Sequence, residues 1–266
     1  MLITRIVTGL ILGAALTLAV LFLSTPAVGA LLGAVFLAGA WEWAALAKLH
    51  AQARVVYVLL FLLIMLLSPW WLPSPGYMGA ALGVAVVWWL VAFAAVLTFP
   101  RKLPLAGVAL AGFAALVPAW ASLTYLHGAS PQGPALTLTV LVIVWAADIG
   151  AYFTGRSIGR VKLAPRVSPG KTWEGVAGGL VLAAAAAAVA GHYLGLGVGM
   201  LLLIGFVTAL ISVLGDLTVS ACKRNVGLKD SGKLLPGHGG VMDRIDSLSA
   251  AAPVFLIALA FTGRLV

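Results

Sequence analysis

About nine stretches of roughly twenty mostly apolar residues, separated by short breaks, run the length of the chain. Hydrophobic residues make up 63% of the 266 and charged residues only 9%. A water-soluble domain would carry about a quarter charged. The chain is therefore a polytopic membrane protein, and spans of that length predict helices, so the expected fold class is all-α. The spans read as 6–24, 27–47, 55–72, 78–98, 105–126, 136–155, 175–194, 200–222 and 247–264. Only Ser24-Thr25-Pro26 separates the first two, which leaves room for one to be tilted or re-entrant. Arg5 and the apolar run behind it mimic a secretory leader, but the run is longer than a leader's core and further spans follow.

The breaks are strongly asymmetric in charge. With the N-terminus cytoplasmic, Arg5, 48–54, Arg101-Lys102, 156–171 and 223–244 all face the cytoplasm, and they hold every Lys and Arg except Arg264. The opposite loops, around Pro73, Pro131 and Leu196, carry no charge. This pattern predicts N-inside, C-outside. The net charge of +9 reports mostly that side and suits anionic partners such as headgroups and nucleotides. A lone cysteine, Cys222, excludes an internal disulfide and a multi-cysteine metal site. The chain divides into N-terminal membrane helices, 1–135, and a C-terminal catalytic region, 136–266, with cytoplasmic loops 156–174 and 223–246. Gly175 and Gly179 lie one turn apart in the seventh span and predict close approach of a neighbouring helix.

Charge returns within 214–247, which holds four of the seven acidic residues, Asp216, Asp230, Asp243 and Asp246. Lys223, Arg224, Lys229, Lys233, His238 and Arg244 share the stretch. In the eighth span Ser212, Asp216, Ser220 and Lys223 form one helical stripe; in the sixth, Asp148, Tyr152 and Arg156 form another. Asp243 and Asp246 face the same way at the start of the ninth. An uncompensated aspartate in the bilayer costs roughly 2.5–3.5 kcal/mol on insertion scales, so several at one depth imply a polar cavity holding cations. Carboxylates from different helices, with oxygen neighbours and no His/Cys cluster, suit Mg²⁺, and a second cation is compatible with the set. Buried ion pairs, Asp216 with Lys223 and Arg244 with Asp243 or Asp246, are the competing reading.

The glycine-rich loop 227–240 lets backbone amides approach an anion, with Lys229 and Lys233 adding charge. Gly170-Lys171-Thr172 invites a P-loop reading, but Pro165 stands where that motif needs glycine and no strand is expected ahead of it. Ser168, Lys171 and Thr172, just before the seventh span, still form a candidate phosphate site. Glu174 reads as a helix cap. Glu42, between Trp41 and Trp43, is expected to snorkel or to pair with a basic residue.

Taken together, Ser220-x-x-Lys223-Arg224, Lys229-Asp230-Ser231-Gly232, Pro236-x-His238-Gly239-Gly240 and Asp243-Arg244-x-Asp246 resemble the signature of the phosphatidate cytidylyltransferases, the CDP-diacylglycerol synthases. Leu214-Gly215-Asp216-Leu217 and Ser168-Pro169-x-Lys171-Thr172-x-Glu174-Gly175 are similar to that family as well, and the first five spans match in general character. Cys222 and Val219 depart from the pattern, the second standing where bacterial members often carry glutamate. The resemblance implies transfer of a cytidylyl group from CTP to phosphatidic acid with Mg²⁺, giving CDP-diacylglycerol and pyrophosphate. Asp216, Asp243 and Asp246 would hold the metal. Lys223 and Arg224 would join them in catalysis, and Asp148, Ser168, Lys171, Thr172, Ser220, Lys229, Asp230 and His238 would bind substrate. The expected setting is the inner membrane with the site facing the cytoplasm, among membrane lipids, as a homodimer and without nucleic acid. Two other activities fit parts of the pattern. A CTP-dependent kinase of a polyprenol or similar lipid alcohol would use the same features. An ion-coupled transporter would place its carboxylates nearer the midplane and show internal repeats, and none is visible.

Overall fold

The computed structural model describes residues 2–232, 234 and 239–263, with side chains from residue 9 onward. The N-terminal half comprises α1 (Leu2–Phe22), α2 (Thr25–Leu46), α3 (Ala51–Leu66), the short α4 (Ser68–Trp71), α5 (Pro75–Leu97) and α6 (Leu105–Gly128). Then come α7 (Gly133–Ile158), the hairpin strands β1 (Lys162–Ala164) and β2 (Ser168–Thr172), α8 (Trp173–Tyr193), α9 (Val198–Asn225) and α10 (Met242–Ala260). The fold is helical, as the hydropathy pattern requires. By length and composition, α2, α5, α6, α7, α8 and α9 can each cross a membrane. The other three expected spans are different. The described apolar part of α1 is short, the third is split into α3 and α4, and α10 opens with Asp243, Arg244 and Asp246. Pro69 accounts for the split, because it lacks the amide that would continue the helix.

The hairpin corrects the expectation that no strand precedes α8. Lys162 pairs with Thr172 and Ala164 with Ser168, antiparallel. Val167, in its turn, buries against Leu217 and Ala221 of α9, so the strands are held by a tertiary contact that no local pattern announces. A P-loop remains excluded by Pro165, since the motif needs glycine there.

Small residues bring α7 and α8 together. A Cβ on Gly179 would lie 2.6 Å from the Ala147 carbonyl oxygen, and one on Gly150 equally near that of Gly178. The close approach expected at Gly175 and Gly179 is thus realised against α7. The N-terminal helices pack around large side chains: Trp43, Phe36 and Phe61 are fully buried, as is Phe255 of α10. Two of the buried ring donors reach carbonyls, Trp43 Nε1 on Val108 O at 2.6 Å and Trp120 Nε1 on Gly29 O at 2.9 Å.

The segments rich in Lys and Arg meet one another. Asn225, at the end of α9, accepts from Leu103 N at 3.0 Å and donates to Leu103 O at 3.1 Å. Arg224 donates to Val167 O at 3.4 Å and Leu228 O at 2.9 Å. The uncharged breaks also meet: His127 bonds Thr25 Oγ1 at 2.9 Å and Val20 O at 2.8 Å, and Gln132 donates to Leu194 O at 3.2 Å.

Candidate active site

At the basic end, α7, β2, α8 and α9 enclose a cavity of about 470 Å³. Asp148, Tyr152 and Arg156 line it from α7, Lys171 and Thr172 from the hairpin, and Ser212 and Asp216 from α9. The α7 stripe therefore faces the Ser212 and Asp216 part of the α9 stripe. Deeper in, Ala147, Leu180, Ala209 and Val213 make the wall apolar. The cavity thus has a charged mouth and an oily floor.

Lys171 Nζ meets Asp216 Oδ2 at 2.5 Å, and Ser220 Oγ donates to Asp216 Oδ1 at 3.1 Å. β2 sets the lysine there by running straight into α8, where Thr172 Oγ1 accepts from Gly175 N at 3.1 Å as the helix N-cap. Thr172, expected on substrate, thus holds the helix start. Glu174, in the first turn of α8, has its carboxylate against its own backbone amide and also accepts from Val161 N at 3.1 and 3.2 Å, closing the base of the hairpin.

The three aspartates expected to converge are divided. Asp246 is buried, accepts from Ser247 N at 2.7 Å, and feels the charges of Asp216, Asp148 and Lys171. Asp148 feels Asp216, Lys171 and Arg244. Asp243 is engaged elsewhere. Its Oδ1 accepts from Lys223 Nζ at 2.7 Å, and its Oδ2 from Ser231 N at 3.0 Å and Gly240 N at 3.1 Å. The ion pairs in the structure, Lys171–Asp216 and Lys223–Asp243, differ from those weighed on sequence alone. Among the described residues, no three acidic, His or Cys side chains are already gathered around one ion-sized point. The chemistry of the cluster nevertheless fits a hard divalent cation. Asp148, Asp216 and Asp246 are all oxygen donors that repel one another, and among the described residues the buried Asp246 carboxylate accepts from a backbone amide, Ser247 N.

α9 stops cleanly after Lys223 and Arg224. Gly227 has φ +76°, and Leu228 N returns to Lys223 O at 2.9 Å, a Schellman closure that leaves both cations at the negative end of the helix. Arg224 spends its donors on the hairpin and loop carbonyls. Ser168 is half-buried, and Lys229 and Asp230 are exposed beyond the helix end. His238 and Lys233 lie outside the described residues.

Glu42 is where sequence reasoning fell short. It neither snorkels nor pairs with a base among the described residues. It is 3% exposed, and its Oε2 accepts from Ser231 Oγ and Met242 N, both at 2.8 Å. One signal was available: it is the sole acidic residue in the first 147. Two amides of the glycine-rich loop, those of Ser231 and Gly240, donate to the chain's own Asp243.

Fold and site together define a helical membrane protein with a charged cavity between helices. The chain belongs to the cytidylyltransferase family, whose model matches residues 3–262. It is 46% identical over 264 residues to the phosphatidate cytidylyltransferase of Pseudomonas aeruginosa, covering 96% of each chain. It is 43% identical to that of Haemophilus influenzae, covering 94% of this chain and 96% of the relative. The enzyme of the same name from Bacillus subtilis shares 47% identity over 122 residues, 44% of this chain and 45% of its own.

Proposed function

We infer that the chain transfers a cytidylyl group from CTP to phosphatidic acid, forming CDP-diacylglycerol and releasing pyrophosphate. The reading is carried by the cavity in which Lys171, Arg156 and the aspartates meet above an apolar floor, in a chain that matches two phosphatidate cytidylyltransferases almost end to end. A phosphate oxygen of the lipid forms the new bond to the α-phosphorus of CTP. The bond from that phosphorus to the β-phosphate bridge breaks, and pyrophosphate leaves with its electron pair. The nucleophile is already an anion, so no strong base is required. The work of the protein is to bring two polyanions together and offset their charge.

Lys171 and Arg156 supply cations at the cavity mouth. Lys171 is held on Asp216 and is poised to exchange that carboxylate for a phosphate oxygen. Lys223 is nearly buried on Asp243, which suits it to keep the loop after α9 in place beside the site. Asp216 and Asp246, with Asp148 alongside, would hold Mg²⁺, which would supply positive charge to offset that of the phosphates.

The charge asymmetry and the contacts among the basic segments support a cytoplasmic site, where CTP is available, with the N-terminus on that side and nine helices in or across the inner membrane. A homodimer is the assembly we carry with this reading.

CTP labelled at one phosphorus tests the reaction. Label from the α-position should appear in the lipid product and label from the γ-position in pyrophosphate. Transfer of γ-label to a lipid alcohol would select a kinase, and accumulation of a solute without turnover would select a transporter.

A further inference from the structure

We infer that Glu42 is a positioning residue for the reaction, bracing from α2 the segment that joins α9 to α10. The inference rests on the cytidylyl-transfer reading for its effect on turnover, though not for its geometry.

The carboxylate reaches both ends of that segment. Ser231, six residues beyond Asn225, donates its hydroxyl to Oε2, and Met242, the first residue of α10, donates its amide to the same oxygen. Asp243 grips the same two ends through Ser231 N and Gly240 N while holding Lys223. Two carboxylates, one local and one from a helix 189 residues away, therefore close the segment from opposite sides. Met242 lies one helical turn before Asp246, so the bond to its amide sets where α10 starts and where Asp246 stands.

The surroundings are shaped for this. A Cβ on Gly232 would run into Glu42 Oε1, and one on Gly240 into both Glu42 Oε2 and Ser231 Oγ. These two glycines are small because the carboxylate needs the space. Gly39, one turn before Trp43, is similarly close to Ile245, which seats α2 on α10. Glu42 Oε1 has no hydrogen-bond partner among the described residues. A carboxyl side chain buried this deeply, with two hydrogen bonds among the described residues, is better explained by what it holds than by stability alone.

Three variants purified in detergent decide the matter: Glu42→Ala, Glu42→Gln and Ser231→Ala. Each is assayed for kcat, for KM toward CTP and phosphatidic acid, and for amide exchange across 231–242. Glu42→Ala should lower kcat about 10–100-fold, as loss of an outer-shell support does. It should speed exchange in that segment and leave the amides of α7, α8 and α9 protected. Glu42→Gln, whose carboxamide oxygen accepts the same two bonds, should recover most of the kcat. Ser231→Ala should give an intermediate loss, with KM for phosphatidic acid unchanged in all three.

Wild-type kcat and exchange in Glu42→Ala would overturn the proposal. So would loosening spread through every helix with no recovery in Glu42→Gln, which would make Glu42 a packing residue. If Glu42→Ala does not accumulate, Ser231→Ala decides, and unchanged kcat and exchange there would count against the brace. Exchange needs no turnover. A loosened segment in a protein that makes no CDP-diacylglycerol would therefore refute the reaction and leave the brace standing.

Discussion

Asp216, Asp243 and Asp246 differ in what surrounds them, and that difference assigns them work. Asp246 and Asp216 sit where like charges crowd. Asp243 already has one ammonium and two amides. Asp→Asn keeps size and removes charge, so it separates the roles. Asp216→Asn and Asp246→Asn should keep the fold and lower kcat about 10²–10³-fold, the scale of losing a preorganised electrostatic contact. Asp243→Asn should instead leave Lys223 buried and unpaired, costing about 3–5 kcal/mol of stability. Thermal unfolding and turnover measured together across a Mg²⁺ titration check this. Folded Asp216 and Asp246 variants with normal activity and unchanged Mg²⁺ dependence would remove both from the mechanism. Lys171→Ala should lower activity strongly in folded protein. A neutral effect on turnover and apparent CTP affinity would leave Lys171 as an ordinary cytoplasmic-side charge.

Among the elements, the pair α7–α8 carries the cavity, and its closeness depends on missing side chains. Val at Gly179 would press two methyl groups and a Cβ into the Ala147 carbonyl. Gly179→Val should therefore destabilise by at least the roughly 1–3 kcal/mol typical of overpacking and lower activity by parting Asp148 from Lys171. An unchanged melting temperature would contradict this packing. This contact was legible in the sequence because helical spacing alone puts Gly175 and Gly179 on one face. The stripes of α7 and α9 were legible for the same reason. The hairpin was not: β1 is three residues long and depends on Val167 finding Leu217. Nor were the partners of the charges. Lys223 with Asp243 spans 20 residues and Glu42 with Ser231 spans 189, and helix packing, not periodicity, decides who meets. Hence the aspartates were read as one trio, while the structure sets Asp148 beside Asp216 and Asp246 and turns Asp243 to the loop.

At the scale of the whole molecule, the account requires one end to be basic, wet and cytoplasmic. Cys222 is buried and can be replaced before single cysteines are introduced at exposed positions. Pro131→Cys should react with a membrane-impermeant thiol reagent applied to intact cells, while Arg101→Cys and Lys229→Cys should react only after the membrane is opened. Labelling at 229 from outside would turn the site away from CTP. The central claim is that a nucleotide and a lipid phosphate meet in this one cavity, and pyrophosphate release by the purified protein tests it most directly. With CTP and Mg²⁺ alone, release should be at background; adding phosphatidic acid should start it, one pyrophosphate for each CDP-diacylglycerol formed. Release that ignores phosphatidic acid, or CDP appearing in place of pyrophosphate, would contradict the account.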